Sequence, residues 1–159
     1  MTFVKKICCI LLFLSFQAGI ARMTVLADPD AQLVSEIAAS LKNYVETGSS
    51  EDYTAFVNLI EDGYASRDAQ HLTLLFAQTS LATYINKPIH NNTEQETVLF
   101  TAARDCAVDV VKFLLVQGAD KQYRNKDGFN AQQVIGKNGA PKPIAASRCK
   151  KVEQLFAGI

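Results

Sequence analysis

Histidine is scarce in this chain: His71 and His90 are the only two. A metal site needs several ligands at a recognisable spacing, and two isolated histidines with distant cysteines do not supply one. Pairing Cys106 with a histidine as nucleophile and base has no local motif behind it. Sustained alternation of apolar and polar residues is missing too, which removes the usual signature of half-buried strands. The fourteen aromatic residues are scattered and offer no platform on which bases could stack. Gly136-Lys137-Asn138-Gly139 lacks the GK[ST] ending of a phosphate-binding loop. No catalytic residues, cofactor site or metal site are expected, and the chain does not read as an enzyme.

Acidic residues are absent from the first 27 positions, which hold Lys5, Lys6 and Arg22. Lys5-Lys6 followed by the apolar run from Ile7 to Phe16 has the form of a secretory signal. That run is shorter than the about 20 apolar residues a bilayer span requires. Val25-Leu26-Ala27 before Asp28, or alternatively Gly19-Ile20-Ala21 before Arg22, offers the small residues of a cleavage site. The expected organisation is a signal over residues 1–27 and one domain over residues 28–159, periplasmic or secreted, with no membrane span after cleavage. Cys8 and Cys9 would leave with the signal, so Cys106 and Cys149 remain.

Charge is distributed unevenly. Residues 28–111 carry four basic and thirteen acidic residues, whereas residues 112–159 carry nine basic and three acidic ones. Such asymmetry acts on association more than on fold. The basic set suits a surface for an acidic partner, and export argues against nucleic acid.

Leu33, Ile37, Leu41 and Val45 recur at four-residue spacing, one face of a helix that Gly48-Ser49-Ser50 ends. A second helix is expected from Ser50 or Glu51 to about Asp62, with Gly63 as its stop. A third is expected from an N-cap at Ser66 through Leu72, Leu75 and Phe76. Pro88 must lie outside it, and His90 to Glu96 reads as a polar loop. A short helix should follow Thr97, and another should carry Val110, Val111, Leu114 and Leu115 up to a reversal at Gly118.

The stretch from Thr97 to Gly128 resembles the ankyrin repeat. Thr97, Leu99, Ala102, Ala103, Val110, Val111, Leu114, Leu115, Gly118, Ala119, Asp120 and Gly128 match its pattern in order, and Thr97 to Asn130 spans its 33-residue period. Val98 and Phe100 replace the usual proline and histidine, and Cys106 stands where a turn glycine is usual. Asn130 begins a degenerate further unit with an insert from Gly136 to Pro143 and a stripe at Val152, Leu155 and Phe156. Thr54 to Gly63 and Ala69 to Phe76 resemble the two helices of a degenerate preceding unit. The resemblance implies an all-α helical solenoid of about three repeats, with residues 31–47 as an N-terminal capping helix.

It also implies which residues meet a partner: Thr93, Glu94 and Glu96 at one turn tip, Arg124, Lys126, Asp127 and Phe129 at the next, and Arg104 and Asp105 on the first-helix edge. Arg124 and Phe129 are the expected anchors, since arginine and aromatic side chains dominate interface energies. Stacked repeats would put Cys106, in the turn between helices, on the same side as Cys149, just before the second helix of the next unit. An oxidising compartment and an even cysteine count favour a disulfide between them. The expected function is that of a protein-binding module, as an inhibitor, immunity factor or stabiliser of one partner. The alternative is a structural or envelope-assembly factor without a single tight partner. Intact-mass measurement of the protein from its native host should show loss of about 21 or about 27 residues, the two candidate cleavage sites. Full-length protein in the cytoplasm would overturn the export reading.

Overall fold

The computed structural model describes residues 28–138 and 143–158. The expected signal over residues 1–27 lies outside them. Every regular element among the described residues is helical, and none is long and apolar enough to cross a membrane.

Helix α1 spans Pro29–Thr47. Asp28 caps it by accepting the Asp30 N–H, and a proline occupies its first turn, where a missing amide costs nothing. Its inward face is Leu33, Val34, Ile37, Ala38, Leu41, Tyr44 and Val45, all buried. Gly48 ends it at φ 70°, returning its N–H to the Tyr44 carbonyl. Helix α2, Ser50–Asn58, starts on a Ser49 cap and folds back against α1.

The end of α2 departs from expectation. The chain continues through a π-helical turn, Leu59–Tyr64, so Gly63 is not a stop. Its role is steric: a Cβ at Gly63 would lie 2.8 Å from Leu33 Cδ1 of α1. Helix α3, Ala69–Phe76, is capped by Asp68, which accepts the Gln70 N–H, rather than by Ser66. Ser66 instead donates its hydroxyl to the Gly63 carbonyl. A short α4, Leu81–Tyr84, completes this part.

Helices α5, Val98–Arg104, and α6, Val108–Val116, form a hairpin. Ala102 and Ala103 are buried between them and their neighbours, where small side chains permit close approach. Gly118 sits at φ 90°, with its N–H on Leu115 O and the Ala119 N–H on Leu114 O, the paired bonds of a Schellman reversal. Asn130 and Gln133 form a reciprocal capping box. It starts only a 3₁₀ turn, Ala131–Val134, which packs on α5. Helix α7, Pro143–Gly158, packs on α6 and buries Val152 and Phe156. Each such burial contributes about 1.5–3 kcal/mol.

Phe113 of α6 is the meeting point of the core. Its fully buried ring lies 6.1 Å from Phe56 of α2, 4.9 Å from Tyr64 of the π turn and 5.2 Å from Phe76 of α3. All three contacts are edge-to-face, the orientation ring quadrupoles favour.

Cys106 and Cys149 are joined at disulfide distance, with Cα atoms 4.8 Å apart. Cys149 lies within α7, not before it. Cys106 has φ 52°, the left-handed conformation that a glycine takes without steric cost. Gly136 packs beside the bridge: its N–H bonds Ala103 O, and a Cβ there would stand 3.3 Å from the Cys149 sulfur. The bridge closes a separation of 43 residues, for which chain entropy supplies about 4 kcal/mol before native strain is subtracted. Denatured, non-reduced protein from the exported fraction should therefore show no free thiols at these positions; two would overturn the assignment. Cys149→Ser should lower unfolding stability by about 2–4 kcal/mol in denaturant titration. Adding Cys106→Gly should restore about 1 kcal/mol, because glycine relieves the left-handed backbone.

Candidate functional site

Two polar loops lie side by side at one edge of the molecule, residues 86–96 ahead of α5 and residues 118–130 ahead of the 3₁₀ turn. Asn86 joins their bases, donating Nδ2 to Gly118 O at 3.2 Å and accepting the Asp120 N–H at 2.7 Å. Further out, the Lys126 N–H donates to Glu94 O at 2.9 Å, and the Tyr123 hydroxyl donates to Gln95 O at 2.8 Å.

The loops share one local construction, offset by 33 residues. Asn92 accepts the Glu96 N–H on its side-chain oxygen, and Asn125 accepts the Phe129 N–H in the same way. Gln95 N–H bonds Asn92 O, as Gly128 N–H bonds Asn125 O. Gln95 and Gly128 both take positive φ, 56° and 82°. Thr97 and Asn130 then enter the following helical turns with nearly equal backbone angles, φ −91° and ψ 169° against φ −98° and ψ 171°. Thr97 makes no side-chain cap bond, whereas Asn130 does.

Glu96 does not stand at a tip. It is 1% exposed and forms the polar centre of both loops. Arg104 Nη1 donates to Glu96 Oε2 at 2.6 Å, and Arg104 Nη2 pairs with Oε1. Asn125 Nδ2 reaches Oε1 at 3.1 Å and Asn92 Nδ2 lies 3.5 Å from Oε2. Glu96 therefore cannot meet a partner directly, and Arg104, half-buried, is held by it. The sequence resemblance placed both on a contact surface because it registers position, not side-chain direction.

The other expected contact residues face outward. Thr93, Arg124, Lys126, Asp127 and Phe129 are exposed, and Glu94 is half-buried. Phe129 is 41% exposed, with Lys137 Nζ 4.8 Å above its ring, a cation–π contact of about 0.5–1 kcal/mol at an exposed site. The Arg124 guanidinium donates to Gly128 O at 2.6 Å, which aims it across its own loop. Asp105 is exposed and accepts Asn138 Nδ2 at 2.6 Å.

Beside Asp105 lies a tyrosine pair that the sequence did not signal. Tyr44 and Tyr53 stack with centroids 5.0 Å apart, and the Tyr44 hydroxyl shares a 2.9 Å hydrogen bond with Thr101 of α5. Burial raises both hydroxyl pKa values above the ordinary tyrosine range, and the Asp105 carboxylate raises them further. Both stay neutral near pH 7 and serve to hold α1 against α2 and α5.

Asp28, Asp30 and His71 place ligand atoms within 4.8 Å of one another, a grouping made by the fold across α1 and α3. It is open to solvent, and the Arg67 guanidinium already pairs with Asp30. Cys106, engaged with Cys149, is not a free nucleophile.

No protein-family model, curated protein or solved structure matches this chain.

Breaking the buried pair should be costly. Glu96→Ala leaves Arg104 and two asparagines without their acceptor, and should destabilise the protein by about 3 kcal/mol in urea titration. In a double-mutant cycle with Arg104→Ala, a coupling below about 0.5 kcal/mol would show that the pair acts as independent surface charges.

Proposed function

We propose that this chain is an exported ankyrin-type repeat protein that binds another protein through its tip loops and carries no catalytic activity of its own. The observation that supports the reading is the shared loop construction at 33-residue offset: Asn92, Gln95 and Thr97 in one loop correspond to Asn125, Gly128 and Asn130 in the next. Repetition at that interval in backbone conformation goes beyond the residue matches from Thr97 to Gly128. The packing of the 3₁₀ turn on α5 and of α7 on α6 is the order expected of successive two-helix units.

The arrangement suits binding. A rigid polar centre at Glu96 holds the loops, so their outward side chains are presented with little ordering left to do on association. Arg124 and Phe129 combine a cation and an exposed ring on one loop, and the surrounding lysines favour a partner with an acidic surface. Two cysteines joined across the last two units fit an oxidising compartment, periplasmic or extracellular.

Immobilised wild-type protein should capture a stoichiometric partner from its own exported fraction, identified by mass spectrometry. Arg124→Ala with Phe129→Ala should weaken that capture by about 2 kcal/mol or more, the scale of interface anchors. The melting temperature should be nearly unchanged. Equal loss of binding and of fold would show that the two residues are structural.

A further inference from the structure

The loop edge carries opposite charge at its two ends. Glu46 closes α1, and Glu51 and Asp52 open α2 after one tight turn. This acidic corner is fixed to the first tip loop: the His90 N–H donates to Val45 O at 2.7 Å, and a Cβ on Gly48 would meet His90 O at 2.7 Å. The first loop is fixed to the second through Glu94 O and the Lys126 N–H, and the second reaches Lys137 through the Phe129 ring. The corner, the two loops and Lys137 are thus successive neighbours along one edge.

Neither end is neutralised within the molecule. Glu46 and Asp52 accept only hydroxyls, from Tyr84 and Thr47, and among the described residues no cation pairs with Glu46, Glu51 or Asp52. Likewise no carboxylate pairs with Arg124, Lys126 or Lys137. Asp127 is exposed within the basic end, where these three cations outnumber it.

We propose that this edge pairs with the same edge of a second copy of the chain, turned end for end about a two-fold axis. The acidic corner of each copy then faces Lys126 and Lys137 of the other. A two-fold contact requires a surface complementary to itself when reversed. An edge negative at one end and positive at the other meets that requirement, while the parallel arrangement sets like charges together and is disfavoured. The pairing does not depend on capture of another protein, although it covers Arg124 and Phe129 and would compete with such capture.

Sedimentation of the purified protein should show a closed monomer–dimer equilibrium. Its dissociation constant should rise roughly tenfold or more between about 0.1 M and about 1 M NaCl, as the Debye length falls from about 10 Å to about 3 Å. Glu46→Lys with Glu51→Lys makes the edge basic throughout, and Lys126→Glu with Lys137→Glu makes it acidic throughout. Each variant alone should be monomeric, and an equimolar mixture should restore the dimer. Should either fail to melt cooperatively, Glu51→Gln and Lys126→Gln make the same comparison, each weakening the dimer. A monomer at every salt concentration, growth beyond the dimer, or a dimer indifferent to salt and to the variants would overturn the proposal. Failure to capture an outside partner while the dimer forms would count against the preceding reading alone.

Discussion

The Glu96 carboxylate is the constraint on which the loop edge depends. A buried charge is tolerated only when its lone pairs are satisfied, and here a guanidinium and two side-chain amides converge on it. Each donor comes from a different place: Arg104 from the end of α5, Asn92 from its own loop, Asn125 from the neighbouring loop. The same two asparagines accept backbone N–H groups through their oxygens. Moving either loop would therefore unmake a charged contact and a backbone contact together, which is why the loops behave as one surface.

Behind that surface, two devices hold the helices. Phe113 gathers rings from α2, the π turn and α3, so the N-terminal helices are organised around a side chain of the central hairpin. The disulfide attaches α7 at the opposite side of the hairpin. Its cost is a left-handed Cys106, a conformation that disfavours a side chain by about 1–2 kcal/mol, well below the chain-entropy gain from the bridge. The departure from a turn glycine noted in the sequence thus has a covalent reason.

Helix faces and cysteine pairing were legible because they follow short-range pattern or simple exclusion. The four-residue spacing of Leu33, Ile37, Leu41 and Val45 identified the buried stripe of α1, and Gly118 marked a reversal. The failures came where a residue acts through space. Gly63 looked like a helix stop, but it makes room for Leu33 thirty residues earlier. Ser66 looked like a cap, yet its hydroxyl was taken by Gly63 O and Asp68 served instead. Glu96 belonged to a polar run that read as solvated, and only the positions of Asn125 and Arg104 turn it inward. Gln95 gave no hint of positive φ, since glutamine is not a turn residue, and its equivalence to Gly128 emerges from backbone angles alone.

The link between Cys106 and Cys149 also sets how the chain would respond to being pulled. Tension applied at the two ends would pass from Cys106 across the sulfurs to Cys149, so residues 107–148 form a slack branch that bears no load. That branch contains α6, the second tip loop and the 3₁₀ turn. The N-terminal helices could be drawn out while Arg124, Lys126 and Phe129 remained on a covalently closed ring, shielded from direct stretching.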